Sequence, residues 1–156
     1  MNILLLYATN SGGTQQASQM VASMLQEKGH TVTVKNPKES NVDEVTSAGF
    51  VLFASPSWDY QDKEGQPHED FVPLLESLSG KTLEGKPFAI LGLGDTSYAH
   101  FCGAVDEFEK IVQNLKGKLI VPSLKIDGYY LHMDENNQLV KDWTNQLINA
   151  LSSPSQ

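Results

Sequence analysis

Four continuously apolar runs, separated by helical patterns, constrain this chain more than anything else in it. Leu4–Ala8, Phe50–Ala54, Phe88–Leu91 and Leu119–Val121 are aliphatic or aromatic almost throughout. A strand reads that way when both of its faces are buried. The short β-branched run Thr31–Val34 adds a fifth strand. Between the strands, Ala17, Met20, Val21, Met24 and Leu25 fall at helical spacing, with Gly29 placed to end the helix. Phe71, Val72, Leu74, Leu75 and Leu78 predict a second helix, with Pro73 near its start. Ala104, Val105, Phe108, Ile111, Val112 and Leu115 predict a third, ended near Gly117, and Leu139, Val140, Trp143, Leu147, Ile148 and Leu151 a last one. Strand–helix alternation implies an α/β fold: a doubly wound, five-stranded parallel sheet with helices on both faces. The expectation is a single domain over 1–151, with 152–156 as a short C-terminal tail.

In such sheets the ligand sits beyond the carboxyl ends of the strands. Three segments therefore matter: Thr9–Thr14, Ser55–Pro67 and Gly92–Phe101. The first reads Thr9-Asn10-Ser11-Gly12-Gly13-Thr14, with hydroxyls, one amide, two glycines and no charge. Placed between a strand and a helix N-terminus, it can hold a phosphate through backbone N–H groups and hydroxyls alone. A triphosphate loop would need a lysine, and no lysine occurs before Lys28; the dinucleotide pattern GxGxxG is also missing after this strand. Gly92-Leu93-Gly94 begins such a pattern later, but position 97 is Ser. A single phosphate monoester fits the neutral loop; a plain Ser/Gly turn capping the helix is the alternative.

Charge narrows the field further. The formal net charge is −8 and the chain has no arginine. Nucleic acid is gripped through basic patches, so it is excluded as a partner. An arginine clamp on a phosphate is excluded as well. The lone cysteine, Cys102, rules out an internal disulfide or a CxxC site, and the four histidines show no metal-ligand spacing, so no metal is expected. No apolar stretch is long enough to span a bilayer and no basic leader precedes a cleavable one. The expectation is a cytoplasmic monomer that does not engage membranes.

The second segment places Trp58 after a buried strand, followed by Asp59 and Tyr60; the third carries Tyr98. Each aromatic can serve as a stacking platform for a flat ring, and Trp58 can alternatively fold over the sheet edge. Two aromatics on adjacent loops, with a phosphate cage on a third, describe a slot for flavin mononucleotide (FMN). At this point a resemblance becomes specific. Thr9–Thr14 matches the T-x-[ST]-G-x-T phosphate loop of the flavodoxins, Ser57-Trp58 is similar to their tryptophan loop, and Gly94-Asp95-Thr96-Ser97-Tyr98 with Phe101-Cys102-Gly103-Ala104 resembles their tyrosine loop closely. The likeness covers essentially the whole chain, and no insertion of about twenty residues interrupts Leu119–Ile126, which points to the short-chain type.

The resemblance implies the strand order 2-1-3-4-5, which is a general property of that fold. It implies that residues 9 to 14 bind the phosphate, that Ser55, Pro56 and Ser57 line the ribityl chain, and that Trp58 covers the inner ring face and Tyr98 the outer one. Backbone groups at Asp95 and Cys102 would meet the pyrimidine edge, with Asp59, Tyr60, Leu93, Gly94 and Phe101 completing the cofactor-binding set. Cys102 is expected to matter through its amide, not its sulfur. One departure has consequences. Family members often carry Gly after the tryptophan, whose peptide turns to hydrogen-bond the flavin N5; here the residue is Asp59. A non-Gly residue at positive φ carries strain, so a harder turn and a less stabilised semiquinone are expected. The loop after Trp58 also looks slightly longer than usual and is interrupted by Gly65 and Pro67.

Residues 59–70 hold five acids and one lysine, a local net charge of −4. Read alone this is a solvated loop. Beside a flavin, each carboxylate disfavours the reduced anion by on the order of 1 kcal/mol, or roughly 40 mV for one electron. A low-potential one-electron carrier shuttling between semiquinone and hydroquinone follows. It would have no substrate of its own and would not be an enzyme. Its partners would be redox proteins with basic docking surfaces: donors of the flavodoxin/ferredoxin reductase type, and low-potential acceptors. The rival is an FMN-dependent quinone or NAD(P)H reductase, which needs room beside a ring that Trp58 and Tyr98 would cover. A response-regulator receiver shares the architecture but needs acids where this chain has Ala8-Thr9 and Ser55-Pro56.

Overall fold

The computed structural model describes residues 1–9, 12–60, 63–94 and 102–152, with backbone alone at 58–60 and 63–65. Its strands are β1 (Asn2–Tyr7), β2 (Thr31–Lys35), β3 (Phe50–Tyr60), β4 (Lys63–Pro67), β5 (Pro87–Gly94), β6 (Lys118–Leu119) and β7 (Leu124–Asp127). Its helices are α1 (Gly13–Glu27), α2 (Val42–Ser47), α3 (Val72–Leu78), α4 (Gly103–Asn114) and α5 (Met133–Ser152). The parallel sheet runs β2-β1-β3-β5, and β6 and β7 share the last place, both against β5. Counted by position, this is the order 2-1-3-4-5.

The apolar runs are continuous because the sheet is covered on both sides. Side chains alternate across a strand, and the two cores divide accordingly. Ile3 and Leu5 of β1, with Phe50 and Leu52 of β3, pack under Ala17, Val21 and Leu25 of α1 and Val140, Trp143 and Leu147 of α5. Leu4, Leu6, Val51 and Phe53 face the other way, toward Leu74 and Leu78 of α3 and Val105, Phe108 and Val112 of α4. Phe53 is the hub of that second core, with the rings of Phe108, Phe88 and Phe71 centred 5.0, 5.6 and 5.9 Å away. Gly29 ends α1 as expected: at φ 91° its N–H donates to Gln26 O (3.0 Å), and His30 N–H donates to Leu25 O (3.2 Å). That is a Schellman closure, which glycine enters without Cβ strain.

Several elements differ from the sequence expectation. The fifth strand is not Leu119–Val121: only Leu119 lies in a strand there, and Ile120–Ser123 bulge away before β7 resumes the pairing. Between the pairs Phe88↔Leu119 and Leu91↔Leu124, β5 advances three residues and its neighbour five. Pro122 explains the break, because it has no N–H to give to a ladder; its carbonyl instead accepts from Trp143 Nε1 at 2.8 Å. Segment Ser55–Pro67 is not a loop. β3 continues through Trp58 to Tyr60 and pairs antiparallel with β4, Trp58 opposite Gln66 and Tyr60 opposite Lys63. The last helix begins at Met133, six residues before Leu139, and it includes Ser152. The short helix α2 was not anticipated; Asn41 caps it by accepting from Glu44 N–H at 2.9 Å.

Candidate functional site

Because the sheet strands are parallel, β1, β3, β5 and β7 all end at one edge. The chain leaves β1 with Ala8 N–H donating to Ala54 O at 3.1 Å and then turns at Thr9, whose Oγ1 accepts from Gly12 N–H at 2.9 Å. Gly12 is the N-cap of α1 at φ 89°, a left-handed conformation that glycine adopts freely, and no side chain caps the helix. The first-turn N–H groups of a helix need a partner from outside it. Gly13 and Thr14 are buried at this start. A Cβ on Gly13 would lie 3.0 Å from Leu93 Cδ2, and one on Gly12 would lie 3.2 Å from Tyr130 Oη. The turn is therefore a bare-backbone cradle seated on Leu93, with hydroxyls and amides but no charge. That donor set fits a phosphate monoester. Asn10 and Ser11 lie outside the described residues.

The end of β3 is held by its serines. Ser55 is fully buried; its hydroxyl donates to Pro56 O (2.8 Å) and accepts from His68 N–H (2.9 Å), so it ties the residue after β4 back to the sheet. Ser57 Oγ accepts from Ala104 N–H, in the first turn of α4, at 3.1 Å. Beyond Ser57 the pairing shifts: between Trp58↔Gln66 and Tyr60↔Lys63, Asp59 alone stands opposite both Glu64 and Gly65. The extra residue is on β4, next to a glycine, which is how a bulge is accommodated. Further along, Asp70 Oδ2 accepts from Asn36 Nδ2 (2.9 Å), and Lys38 Nζ lies 3.2 Å from Asp70 Oδ1. Burial acts to raise the Asp70 pKa, but the hydrogen bonds from Asn36 and Lys38 and the charges of His68 and Lys38 outweigh it and hold the carboxyl below its usual range.

At the end of β5, α4 presses close. A Cβ on Gly92 would come within 2.3 Å of Val105 Cγ2, so only glycine fits. Cys102 is the N-cap of α4 at φ 49°. Its thiol is buried, 3.7 Å from both Gly92 O and Ile126 O, and burial pushes its pKa up to about 12. The sulfur is thus a packing group. Leu93 lies beside the cradle, and Gly94 lies against Cys102. Asp95, Tyr98 and Phe101 lie outside the described residues.

A fourth segment, missed from the sequence, joins this edge. Gly94↔Asp127 is the last pair of β5 and β7, and Gly128 N–H then donates to Gly94 O at 3.0 Å. Gly128 turns at φ 54°, and Asn136 Nδ2 lies 3.3 Å from the carbonyls of Asp127, Gly128 and Tyr129. This turn brings Tyr129 and Tyr130 against the cradle. The signal was present as Asp127-Gly128 after an apolar strand, but placing the strand at Leu119–Val121 left the turn unassigned.

Comparison with known proteins agrees with this fold. A family model described as Flavodoxin matches residues 5–140. The chain is 36% identical to a flavodoxin of Maridesulfovibrio salexigens over 126 residues, covering 80% of this chain and 85% of that one. It is 31% identical to a flavodoxin of Nitratidesulfovibrio vulgaris over 151 residues, covering 96% and 99%. Among solved structures, a Fusobacterium nucleatum flavodoxin bound to flavin mononucleotide superposes with a TM-score of 0.80 at 19% identity, covering 95% of this chain and 97% of that one. An uncharged cradle at the start of α1, set in the 2-1-3-4-5 sheet and matched to relatives over nearly their whole lengths, identifies the chain as a member of the flavodoxin family.

Proposed function

We infer that this protein is an electron carrier that binds FMN non-covalently. The observation that carries the reading is the charge-free cradle at Thr9, Gly12 and Thr14, within the family to which the chain belongs. FMN, when bound, supplies a centre that takes up and releases electrons one at a time. The protein's part is to hold it: the cradle takes the phosphate, with Asn10 and Ser11 completing it. Ser55, Pro56 and Ser57 form the wall beside the sugar chain, Trp58 and Tyr98 cover the ring, and Asp59, Tyr60, Leu93, Gly94, Asp95, Phe101 and Cys102 frame its edge.

The finer reading is a low-potential carrier. Electrons would come from, and pass to, redox proteins whose basic surfaces meet the acids of residues 59–70. The chain would act as a monomer, in the cytoplasm, without a substrate of its own. Among the described residues no helix is long and apolar enough to cross a membrane.

The test is to strip and re-add the cofactor. The apo-protein should take up one FMN per chain, and the loaded protein should stay oxidised with NAD(P)H alone until a reductase is added. Failure to bind FMN overturns the site. Direct reduction by NAD(P)H with turnover on a quinone overturns the carrier reading.

A further inference from the structure

The half-exposed ring of Tyr130 lies directly over the bare backbone of the cradle. Its Oη is 3.2 Å from where a Cβ on Gly12 would stand, and its Cε2 is 3.5 Å from the same point on Gly13. The ring is held there from several sides. Tyr129 packs edge-on against it, centroids 5.3 Å apart. Leu131 N–H donates to Gly128 O at 2.9 Å, and Gly128 N–H ties the turn to Gly94 O. Asn136 gathers the three carbonyls of residues 127–129, and Tyr129 Oη donates to Asn137 Oδ1.

The chemistry of the cradle suits a phenol at this place. A phosphate monoester in it has no arginine to meet anywhere in the chain and no lysine before Lys28. The loop itself answers that charge with neutral donors, and a hydroxyl donating to an ionised oxygen makes one of the stronger neutral-donor hydrogen bonds available. We propose that Tyr130 is a phosphate-binding residue of this flavodoxin. Its hydroxyl donates to the FMN phosphate across Gly12, and its ring roofs the cradle against water. The β7–α5 turn thereby becomes a fourth cofactor segment beside Thr9–Thr14, Ser55–Pro67 and Gly92–Phe101. This inference rests on the FMN reading above.

The consequence is selectivity for the phosphorylated cofactor. Tyr130→Phe keeps the ring and its contact with Tyr129 but removes the hydroxyl. Titration of apo-protein with FMN and, separately, with riboflavin separates the roles. Loss of one hydrogen bond to a charged group should weaken FMN about tenfold, while riboflavin affinity stays as in the parent and the urea midpoint does not move. Unchanged FMN affinity in Tyr130→Phe overturns the proposal, and so does an equal loss for both flavins, which would make the tyrosine merely structural. A parent protein that binds neither flavin, or binds riboflavin as tightly as FMN, would instead bring down the phosphate cradle itself, and this inference with it.

Discussion

The hydroxyl of Ser57 in β3 accepts a hydrogen bond from the N–H of Ala104 in α4, 3.1 Å away across 47 residues of chain. The helix has no side-chain cap of its own, since its N-cap is Cys102 with a buried thiol. One strand residue thus closes the start of a distant helix and fixes the segment before Trp58 to the first turn of α4. Ser57→Ala should cost about 1 kcal/mol of stability, the usual worth of a lost cap. Ser57→Thr should retain most of it. Urea unfolding of the apo-proteins checks both, and an unchanged midpoint in Ser57→Ala would count against the link.

Gly92 is required by packing, not by backbone conformation. Its missing Cβ would sit 2.3 Å from Val105 Cγ2. Gly92→Ala should destabilise by roughly 1–3 kcal/mol through overpacking. Adding Val105→Ala relieves the clash, so the double variant should lose less than the two single losses combined. Additive losses in thermal melts would contradict this.

Cys102 should be inert in the folded protein. Burial pushes its thiol pKa up from the usual range to about 12. At pH 8 a thiol reagent should label the native chain very slowly and the urea-unfolded chain readily. The sign of the stability effect follows. The folded state disfavours the thiolate, so the contribution of this group is fully present below pH 9 and is lost as pH rises toward 12. Rapid labelling of native protein at pH 8 would refute the buried placement.

Asp59 stands at the pairing irregularity opposite Glu64 and Gly65. A turn of the peptide after Trp58 toward the flavin, which the family resemblance implies, would here have to place a non-Gly residue near the left-handed region, at a cost on the order of 1 kcal/mol, or roughly 40 mV. Asp59→Gly should therefore raise the first one-electron potential of the loaded protein by tens of millivolts and leave the second less affected. Equal potentials in the two proteins would show that residue 59 does not limit the turn.

The acids between Asp59 and Asp70 predict a salt effect. Raising ionic strength from about 0.01 to 0.15 M shortens the screening length from about 30 to 8 Å. Electron transfer from a basic reductase should slow steadily over that range in stopped-flow traces. A salt-independent rate would contradict electrostatic steering.

What the sequence made legible was whatever carried a long apolar period. Leu4–Leu6, Val51–Phe53 and Phe88–Leu91 could only be doubly covered strands, and the helices against them repeat cleanly. The elements that escaped are short or governed by pairing partners. α2 spans six residues with one buried side chain, Val45, too little for a period to show. The continuation of β3 through Trp58 depends on β4, whose Lys63-Glu64-Gly65-Gln66-Pro67 has no strand-forming residue. Tyr130 was invisible as a site residue because nothing local distinguishes it; only the seating of the β7–α5 turn on Gly94 brings it to Gly12. The loop from Thr9 was readable in advance because its chemistry is local.

The central claim is that this chain holds FMN as a carrier of single electrons, and stepwise anaerobic reduction of the loaded protein, followed by absorption against measured potential, tests it most directly. The account predicts two resolved one-electron steps, the second lying well below the first. A single two-electron step at the potential of free FMN would contradict it.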